Sequence, residues 1–197
     1  MRPRTRLAIA ACAACLIAAG CGTSPPSHFY TLSSNAEPVA PRTSTLVVAV
    51  GPITIPAVVD RPEFVVSRGR NEVRIDDFNR WASPLKDDLT RAIADNLSAL
   101  LGTPRVIRFP QPLAIEPDYR VVAEIRTFES VPGASATIDA VWTVRRSKDG
   151  KSQTGRTTAR EAVDGKGYDA LAAAHSRAAA RVSRDMADAI LALQASS

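Results

Sequence analysis

Residues suited to catalysis are few in this chain. Histidine, the commonest general base, occurs twice, as His28 and His175. A Ser-His-Asp triad would have to use one of them, and no Gly-x-Ser-x-Gly turn is present to expose a nucleophilic serine. His175 falls on the apolar stripe of a predicted C-terminal helix, which favours a structural histidine over a base. The sequence therefore predicts no catalytic residue.

Metal ligands are equally sparse. The chain has no His-x-x-His or His-Glu-x-x-His pattern. The carboxylates that stand closest together are Asp76-Asp77 and Asp87-Asp88, and adjacent side chains on a strand or helix point in different directions. Asp87 and Asp88 also fall in the first turn of a predicted helix, where negative charge complements the helix dipole. We expect no metal and no cofactor.

The clearest chemical signal is a cysteine near the start of the chain. A basic segment with Arg2, Arg4 and Arg6 precedes the small apolar run Leu7–Ala19, as in a secretory signal. The run is shorter than the about 20 residues of a membrane-spanning helix. It leads into Ala18-Ala19-Gly20-Cys21, which resembles the lipobox at which bacterial lipoproteins are cleaved and acylated. The sequence predicts lipidation of Cys21, against the alternative of an ordinary cleaved signal.

Cleavage before Cys21 divides the chain into residues 1–20 as the signal peptide, 21–27 as a lipidated tether and 28–197 as one periplasmic domain. The formal charge of +5 falls to +2 when the three signal arginines leave, so the basic balance does not indicate nucleic-acid binding. Cys12 and Cys15 leave as well, so the mature domain has no cysteine for a disulfide. Gly22 rather than Asp follows Cys21, which favours the outer membrane as the site of anchoring.

Apolar periodicity predicts an α+β domain, a largely antiparallel mixed sheet with two helices packed on one face. Ser83-Pro84 is expected to cap the first helix, which ends near Gly102, and the second helix spans about Tyr168–Leu193. Alternation and turn signals predict the strands: His28–Leu32, Leu46–Val50, Phe64–Ser67, Glu72–Ile75, Val106-Ile107, Tyr119–Phe128, Thr137–Val144 and a polar strand near Ser152–Glu161.

One apolar stretch, Gly51–Pro62, is bracketed by prolines and cannot lie in the middle of a sheet. It is either a surface for a partner or lipid, or a loop that packs back on its own core. Trp81 and Trp142 are interpreted as core residues, and the basic stripe of Arg177, Arg181 and Arg184 as a solvated helix face.

Taken in order, the motifs of the chain resemble the ABC-type transport auxiliary lipoprotein family, the PqiC/YmbA-type partners of MCE lipid transporters. The segments that carry the resemblance follow Cys21 along nearly the whole mature chain: Phe29-Tyr30-Thr31-Leu32, Val50-Gly51-Pro52, Ile55-Pro56, Asp60-Arg61-Pro62, Phe78 to Leu85, Leu101-Gly102, Phe109-Pro110, Tyr119-Arg120-Val121 and Ala140-Val141-Trp142.

The resemblance implies a non-enzymatic lipoprotein on the periplasmic face of the outer membrane. It would be held by outer-membrane lipids through acylated Cys21 and would dock the tunnel of an MCE-domain transporter protein to that membrane in phospholipid traffic. Whether the chain forms a homo-oligomer stays open. The expected contact surface joins two segments: Pro52, Ile55, Pro56, Asp60, Arg61 and Pro62 in the first, and Phe78, Arg80 and Trp81 in the second.

Two other classes share part of these features. A structural lipoprotein that binds peptidoglycan or a β-barrel partner would have the same anchor and the same lack of catalytic groups. A hydrolase would need His175 as its base.

Overall fold

The computed structural model describes residues 25–38, 44–109 and 116–196, so Cys21 and the predicted signal peptide lie outside the described residues. The described residues form eight strands and two helices. The strands are β1 (His28–Tyr30), β2 (Val48–Thr54), β3 (Glu63–Ser67), β4 (Val73–Trp81), β5 (Val106–Arg108), β6 (Tyr119–Val131), β7 (Ser135–Arg146) and β8 (Ser152–Ala162). The helices are α1 (Leu85–Leu101) and α2 (Gly167–Ala195).

The larger sheet has the order β5-β2-β6-β7-β8. Strand β2 runs parallel to both β5 and β6, whereas the β6-β7-β8 meander is antiparallel. Strand β2 pairs on both sides only through Val48–Val50, and beyond a register shift it pairs with β6 alone through Ile53 and Thr54. Pro52 lies in that shift, where its missing N–H costs no ladder hydrogen bond.

The smaller sheet has the order β1-β4-β3, in which β1 is parallel and β3 antiparallel to β4. The sequence indicated the β3–β4 hairpin but one sheet rather than two. The second sheet could not be predicted from local patterns, because β1 lies about 50 residues before its partner strand. A parallel pairing of such short strands leaves no local signal in the sequence. The register joins His28 to Asn79 and Tyr30 to Trp81.

Both helices pack on one face of the larger sheet and against each other. The side chains of α2 that were expected to face inward are all buried, including Leu171, His175 and Met186. Helix α1 ends at Gly102, whose positive φ of 61° gives the left-handed cap. Its start corrects the expected Ser83 cap, since Pro84 is the cap residue, no side chain caps the helix, and the Pro84 carbonyl accepts from the Asp87 and Asp88 N–H groups.

An aromatic chain joins the two sheets through the core. Phe64 of the smaller sheet stacks on Trp81 with ring centroids 4.3 Å apart, and Trp81 meets Phe128 of β6 edge to face at 6.0 Å. Phe128 in turn stacks on His175 of α2 at 3.8 Å. Trp81 and Trp142 are both buried, as the sequence predicted. The smaller sheet is therefore part of the same core as the larger one.

Candidate functional site

The proline-bracketed stretch forms the end of β2 and a series of tight turns. The Val59 N–H donates to the Pro56 carbonyl at 3.0 Å, and the Arg61 N–H donates to the Val59 carbonyl at 2.9 Å. Val59 is buried and fastens the turns to the core, while Val58 is 48% exposed. Some apolar side chains of this stretch therefore pack inward on the core, and others face solvent.

The turns place Pro62 next to the end of β4. The Trp81 N–H donates to the Pro62 carbonyl at 2.7 Å, and the Ala82 N–H donates to the Tyr30 carbonyl at 2.8 Å. Trp81 is held by its stacking on Phe64, so its indole is a fixed wall rather than a mobile contact. These bonds bring the two predicted segments together at one place.

Between them lies a cleft of about 380 Å³, which we call the Arg61 cleft. Its walls are Asp60, Arg61, Pro62, Trp81, Ala82, Ser83 and Pro84. The Nε of Arg61 is buried and has no hydrogen-bond partner among the described residues. A buried guanidinium N–H without a partner is costly unless a bound group accepts from it. Because Arg61 lines the cleft, one of its walls is cationic and suits a carboxylate or carbonyl oxygen, beside proline and tryptophan walls.

The other residues predicted for the contact surface do not line the Arg61 cleft. Arg80 forms an ion pair with Glu63 at 2.6 Å. Pro56 lines a second groove of about 390 Å³ between the turns, the β3–β4 hairpin and β6. The described contacts bring together four of the predicted residues, namely Asp60, Arg61, Pro62 and Trp81. Pro52, Ile55 and Phe78 do not line the cleft.

A network of buried polar side chains behind β1 was not foreseen from the sequence. Asp88 accepts a hydrogen bond from the Leu32 N–H at 2.6 Å and pairs with Arg91, which also donates to the Leu32 carbonyl. The buried Asn96 accepts through Oδ1 from the backbone N–H groups of Asn35 and Ala36, each at 3.0 Å. We call this set the polar clamp, because it fastens the chain after β1 to helix α1.

The polar clamp also includes two serines of helix α2. The Ser33 N–H donates to Ser176 Oγ at 2.9 Å, and Asn96 Nδ2 donates to Ser183 Oγ at 3.4 Å. Ser176 and Ser183 are both buried in the helix seam, where each hydroxyl also donates to a carbonyl one turn earlier. Asn96 gave no sequence signal beyond being a polar residue inside an apolar helical pattern, and Asp88 was predicted only to complement the helix dipole, not to bind the backbone of Leu32.

A second electrostatic group links the smaller sheet to the start of α2. The Tyr168 hydroxyl donates to Asp76 Oδ2 at 2.7 Å and accepts from Arg74 at 2.5 Å. Burial acts to raise the pKa of Asp76, but hydrogen bonds from Tyr168, Asn79 and Phe78 outweigh it and lower that pKa below its usual value. Burial, with the neighbouring Asp76 charge, raises the pKa of Tyr168 to about 12.

His175 is the only described histidine in the core, and its surroundings do not form a triad. Its Nε2 lies 2.7 Å from Ser130 Oγ, while its Nδ1 is buried without a hydrogen-bond partner. A triad would need a carboxylate at Nδ1 and access for a substrate. The side chain is instead fully buried against Phe128, and burial lowers its pKa to about 3.

Within the described ranges no cluster of three or more metal-ligating side chains is present. Nor does either described helix have the length and apolar character needed to cross a bilayer. The basic stripe of α2 is partly neutralised, because Arg177 and Arg181 both pair with Glu161, at 3.6 and 3.3 Å. This matches the expected solvated face.

The described residues form an α+β domain with one core. The fold is similar to that of several solved structures, among them two whose match covers most of this chain. One, described as an uncharacterized protein, is 19% identical with a TM-score of 0.69, covering 84% of this chain and 99% of its own. The other, a protein from Xanthomonas campestris, is 20% identical with a TM-score of 0.67, covering 86% of this chain and 99% of its own. At these identities the likeness concerns the fold alone.

The model of the family described as the ABC-type transport auxiliary lipoprotein component matches residues 30–187. The chain belongs to this family, which confirms the resemblance seen in its sequence motifs. PelC from Paraburkholderia phytofirmans, described as a dodecamer, is 13% identical with a TM-score of 0.40, which is too low to carry an argument. No curated protein sequence matches the chain significantly.

Proposed function

We propose that the protein is an outer-membrane lipoprotein that faces the periplasm and serves as a non-enzymatic auxiliary component of an MCE-type ABC phospholipid transport system. The observation that carries the proposal is the family match over residues 30–187, because it covers strands β2 to β8, helix α1 and the larger part of helix α2. In this role, acylated Cys21 anchors the chain and the domain contacts an MCE-domain protein.

A non-enzymatic role fits the most reactive side chains of the described domain. The Ser130–His175 pair is sealed in the core, and the low pKa of His175 keeps its ring neutral. Asp139 and Asp149 are each engaged by an arginine, at 2.8 and 2.6 Å, and are not free to act as acids or bases. The pairing of these side chains supports a role in binding rather than in catalysis.

The Arg61 cleft is our proposed contact for the partner protein. The positive charge of Arg61 and the rigid Trp81 wall suit an extended segment of the partner that presents a carboxylate or carbonyl oxygen. Asp60 stands at its exposed rim, where a charge would affect the rate and salt dependence of association more than its strength.

The proposal is tested by mild solubilisation of membranes, capture of the tagged lipoprotein and mass spectrometry of what is bound. We expect recovery of an MCE-domain protein, and its loss when Cys21→Ala removes the anchor. Recovery of peptidoglycan-associated or β-barrel proteins instead would favour the structural role and would contradict the transport role.

The contact surface is tested by Arg61→Ala in the same capture. Arg61 lacks an ion pair within the described part of the chain, so the substitution should leave the fold intact and reduce partner recovery. The matched control is Arg184→Ala, which removes an exposed arginine from α2. Equal recovery with both variants would reject the cleft as the contact. Trp81 is less suitable for this test because its removal would open the core.

A further inference from the structure

Two aromatic side chains are exposed on the outer side of the smaller sheet. Phe29 of the edge strand β1 is 63% exposed, and Phe78 of β4 is 39% exposed. Phe29 pairs with Arg80, while Tyr30 pairs with Trp81, whose ring is buried. Since side chains alternate along a strand, Phe29 and Arg80 share the outer face. Phe78 lies in the irregular part of β4 between Asp76 and Arg80, so it is the exposure of its ring, and not alternation, that places it on the solvent side.

The charge nearest to Phe29 is neutralised, whereas Phe78 follows the exposed Asp77. Arg80, the register partner of Phe29, is paired with Glu63 at 2.6 Å on the neighbouring strand. An exposed edge strand usually carries charge or proline that prevents association, whereas β1 offers its phenyl ring to solvent. A face with two exposed rings and a satisfied ion pair is compatible with an apolar or interfacial environment.

The position of Phe29 in the chain indicates what that environment is. Seven residues, Gly22–His28, separate Phe29 from Cys21. At about 3.5 Å for each extended residue, the α-carbon of Phe29 can lie no farther than about 28 Å from that of Cys21. Pro25 and Pro26, both exposed, make this short tether stiffer. The lipid anchor therefore keeps this face close to the bilayer.

We propose that Phe29 and Phe78 contact the surface of the bilayer in which Cys21 is anchored, with the outer side of the smaller sheet turned towards the lipid. The proposal rests on the acylation of Cys21 that the proposed function includes. The acyl chains supply the affinity, because several chains together bind firmly. The two rings enter the headgroup region and set the orientation of the domain.

Site-directed spin labelling can test this contact, because the mature chain has no cysteine other than Cys21, which is acylated. Phe29→Cys and Phe78→Cys are each labelled with a nitroxide in the lipidated protein, on vesicles of phosphatidylethanolamine and phosphatidylglycerol. The control is Leu191→Cys, since Leu191 is 47% exposed on α2, far along the chain from the anchor. The measurement is the accessibility of each label to oxygen and to a water-soluble nickel complex.

We expect the labels at positions 29 and 78 to be protected from nickel and accessible to oxygen, and the label at 191 to be accessible to nickel. Equal nickel accessibility at all three positions, on protein that floats with the vesicles, would overturn the bilayer contact and leave the anchor in place. Failure to float would instead reject the acylation itself. Nickel protection at position 29 in the unacylated Cys21→Ser protein, free in buffer, would show that another copy covers this face and would also overturn the proposal.

Discussion

Burial governs the behaviour of His175. The ring is 0% exposed, and this desolvation lowers its pKa to about 3, against 6.5 for a solvated histidine. Between those two values the unfolded chain binds a proton that the folded protein excludes. The free energy of unfolding therefore contains a contribution that is complete above about pH 6.5 and is lost progressively as the pH falls towards 3.

The variant His175→Gln should reduce the acid sensitivity of the fold. At about pH 4 the wild-type protein should have lost on the order of 3 kcal/mol through this residue, relative to neutral pH. The glutamine variant lacks that titration, so its own loss between the two pH values should be smaller by about that amount. Denaturant unfolding at both pH values measures the difference, and equal losses would show that His175 is not held neutral.

Close packing against Trp142 explains why residue 155 is a glycine. The indole of Trp142 lies directly over Gly155, its strand neighbour on β8, and donates from Nε1 to Thr157 Oγ1 at 3.0 Å. Thr157 in turn donates to Asp185 of α2 at 2.5 Å. A Cβ at position 155 would lie 2.6 Å from Cη2 of Trp142, so the ring would have to leave this arrangement.

The variant Gly155→Ala should therefore destabilise the protein by about 2 kcal/mol, in the range found for overpacked cores. The matched control is Gly69→Ala in the β3–β4 turn, where a Cβ meets no atom within 4 Å. The control should leave stability unchanged within about 0.5 kcal/mol. Thermal unfolding of both variants distinguishes them, and similar melting temperatures would contradict the close approach of Trp142.

At the scale of elements, the polar clamp fixes how β1 is attached. Three residues pair in β1 with β4, which is too few for a stable strand by itself. The segment after β1, residues 32–36, is held by the side chains of Asp88 and Asn96. These side chains accept backbone hydrogen bonds that a neighbouring strand would otherwise accept. Strand β1 thus depends on helix α1 for its position.

The variant Asn96→Ala should release this segment. It leaves two backbone N–H groups and Ser34 Oγ without their acceptor, which should cost about 2–3 kcal/mol. The neighbouring Asp95→Ala removes only an exposed pair with Arg91 and should cost less than about 1 kcal/mol. Hydrogen exchange of residues 31–38 is the local measurement, and unchanged protection in Asn96→Ala would disprove the clamp.

Strand β7 and helix α2 were predicted from the sequence, whereas the smaller sheet and the polar clamp were not. The alternation of Ile138, Ala140, Trp142 and Val144 predicted strand β7 and its buried face. Every member of the apolar stripe predicted for α2 is buried, but the helix also buries small residues such as Ala174 and Ser176 that the stripe did not include. The separate three-stranded sheet was missed because it depends on a parallel pairing between distant segments. The clamp was missed because a buried Asn or Asp has the same sequence signal as an exposed one until its partners are known.

The candidate site was predicted in part for a similar reason. Proline punctuation marked the turns of residues 56–62, and the family motif marked Trp81, but neither could show that the Trp81 N–H binds the Pro62 carbonyl. The sequence therefore grouped Pro52 and Phe78 with residues that form the Arg61 cleft. The unpartnered Nε of Arg61 depends on the final packing and left no sequence pattern.

At the scale of the whole molecule, the fold of the described domain depends on its own core and not on cysteine chemistry. The prediction is that Cys21→Ser abolishes membrane retention but leaves the free energy of unfolding of the solubilised protein unchanged, with or without a reducing agent. Membrane fractionation and denaturant unfolding measure the two effects. A large loss of stability would show that the lipidated end contributes to the fold, which the contacts from residue 28 onward do not require.

In the proposed role the domain is anchored at one end and bound to a partner elsewhere, and the polar clamp then has a mechanical consequence. If the partner moves away from the membrane, tension enters the fold at His28 and passes along β1. The β1–β4 hydrogen bonds lie across the strands, so a pull along the strand shears them together rather than opening them one by one. The remaining force is transmitted through the hydrogen bonds of Leu32 to Asp88 and of Asn35 to Asn96, and so to α1 and the core. We therefore expect the domain to resist unfolding from its N-terminal end when the tether is under tension.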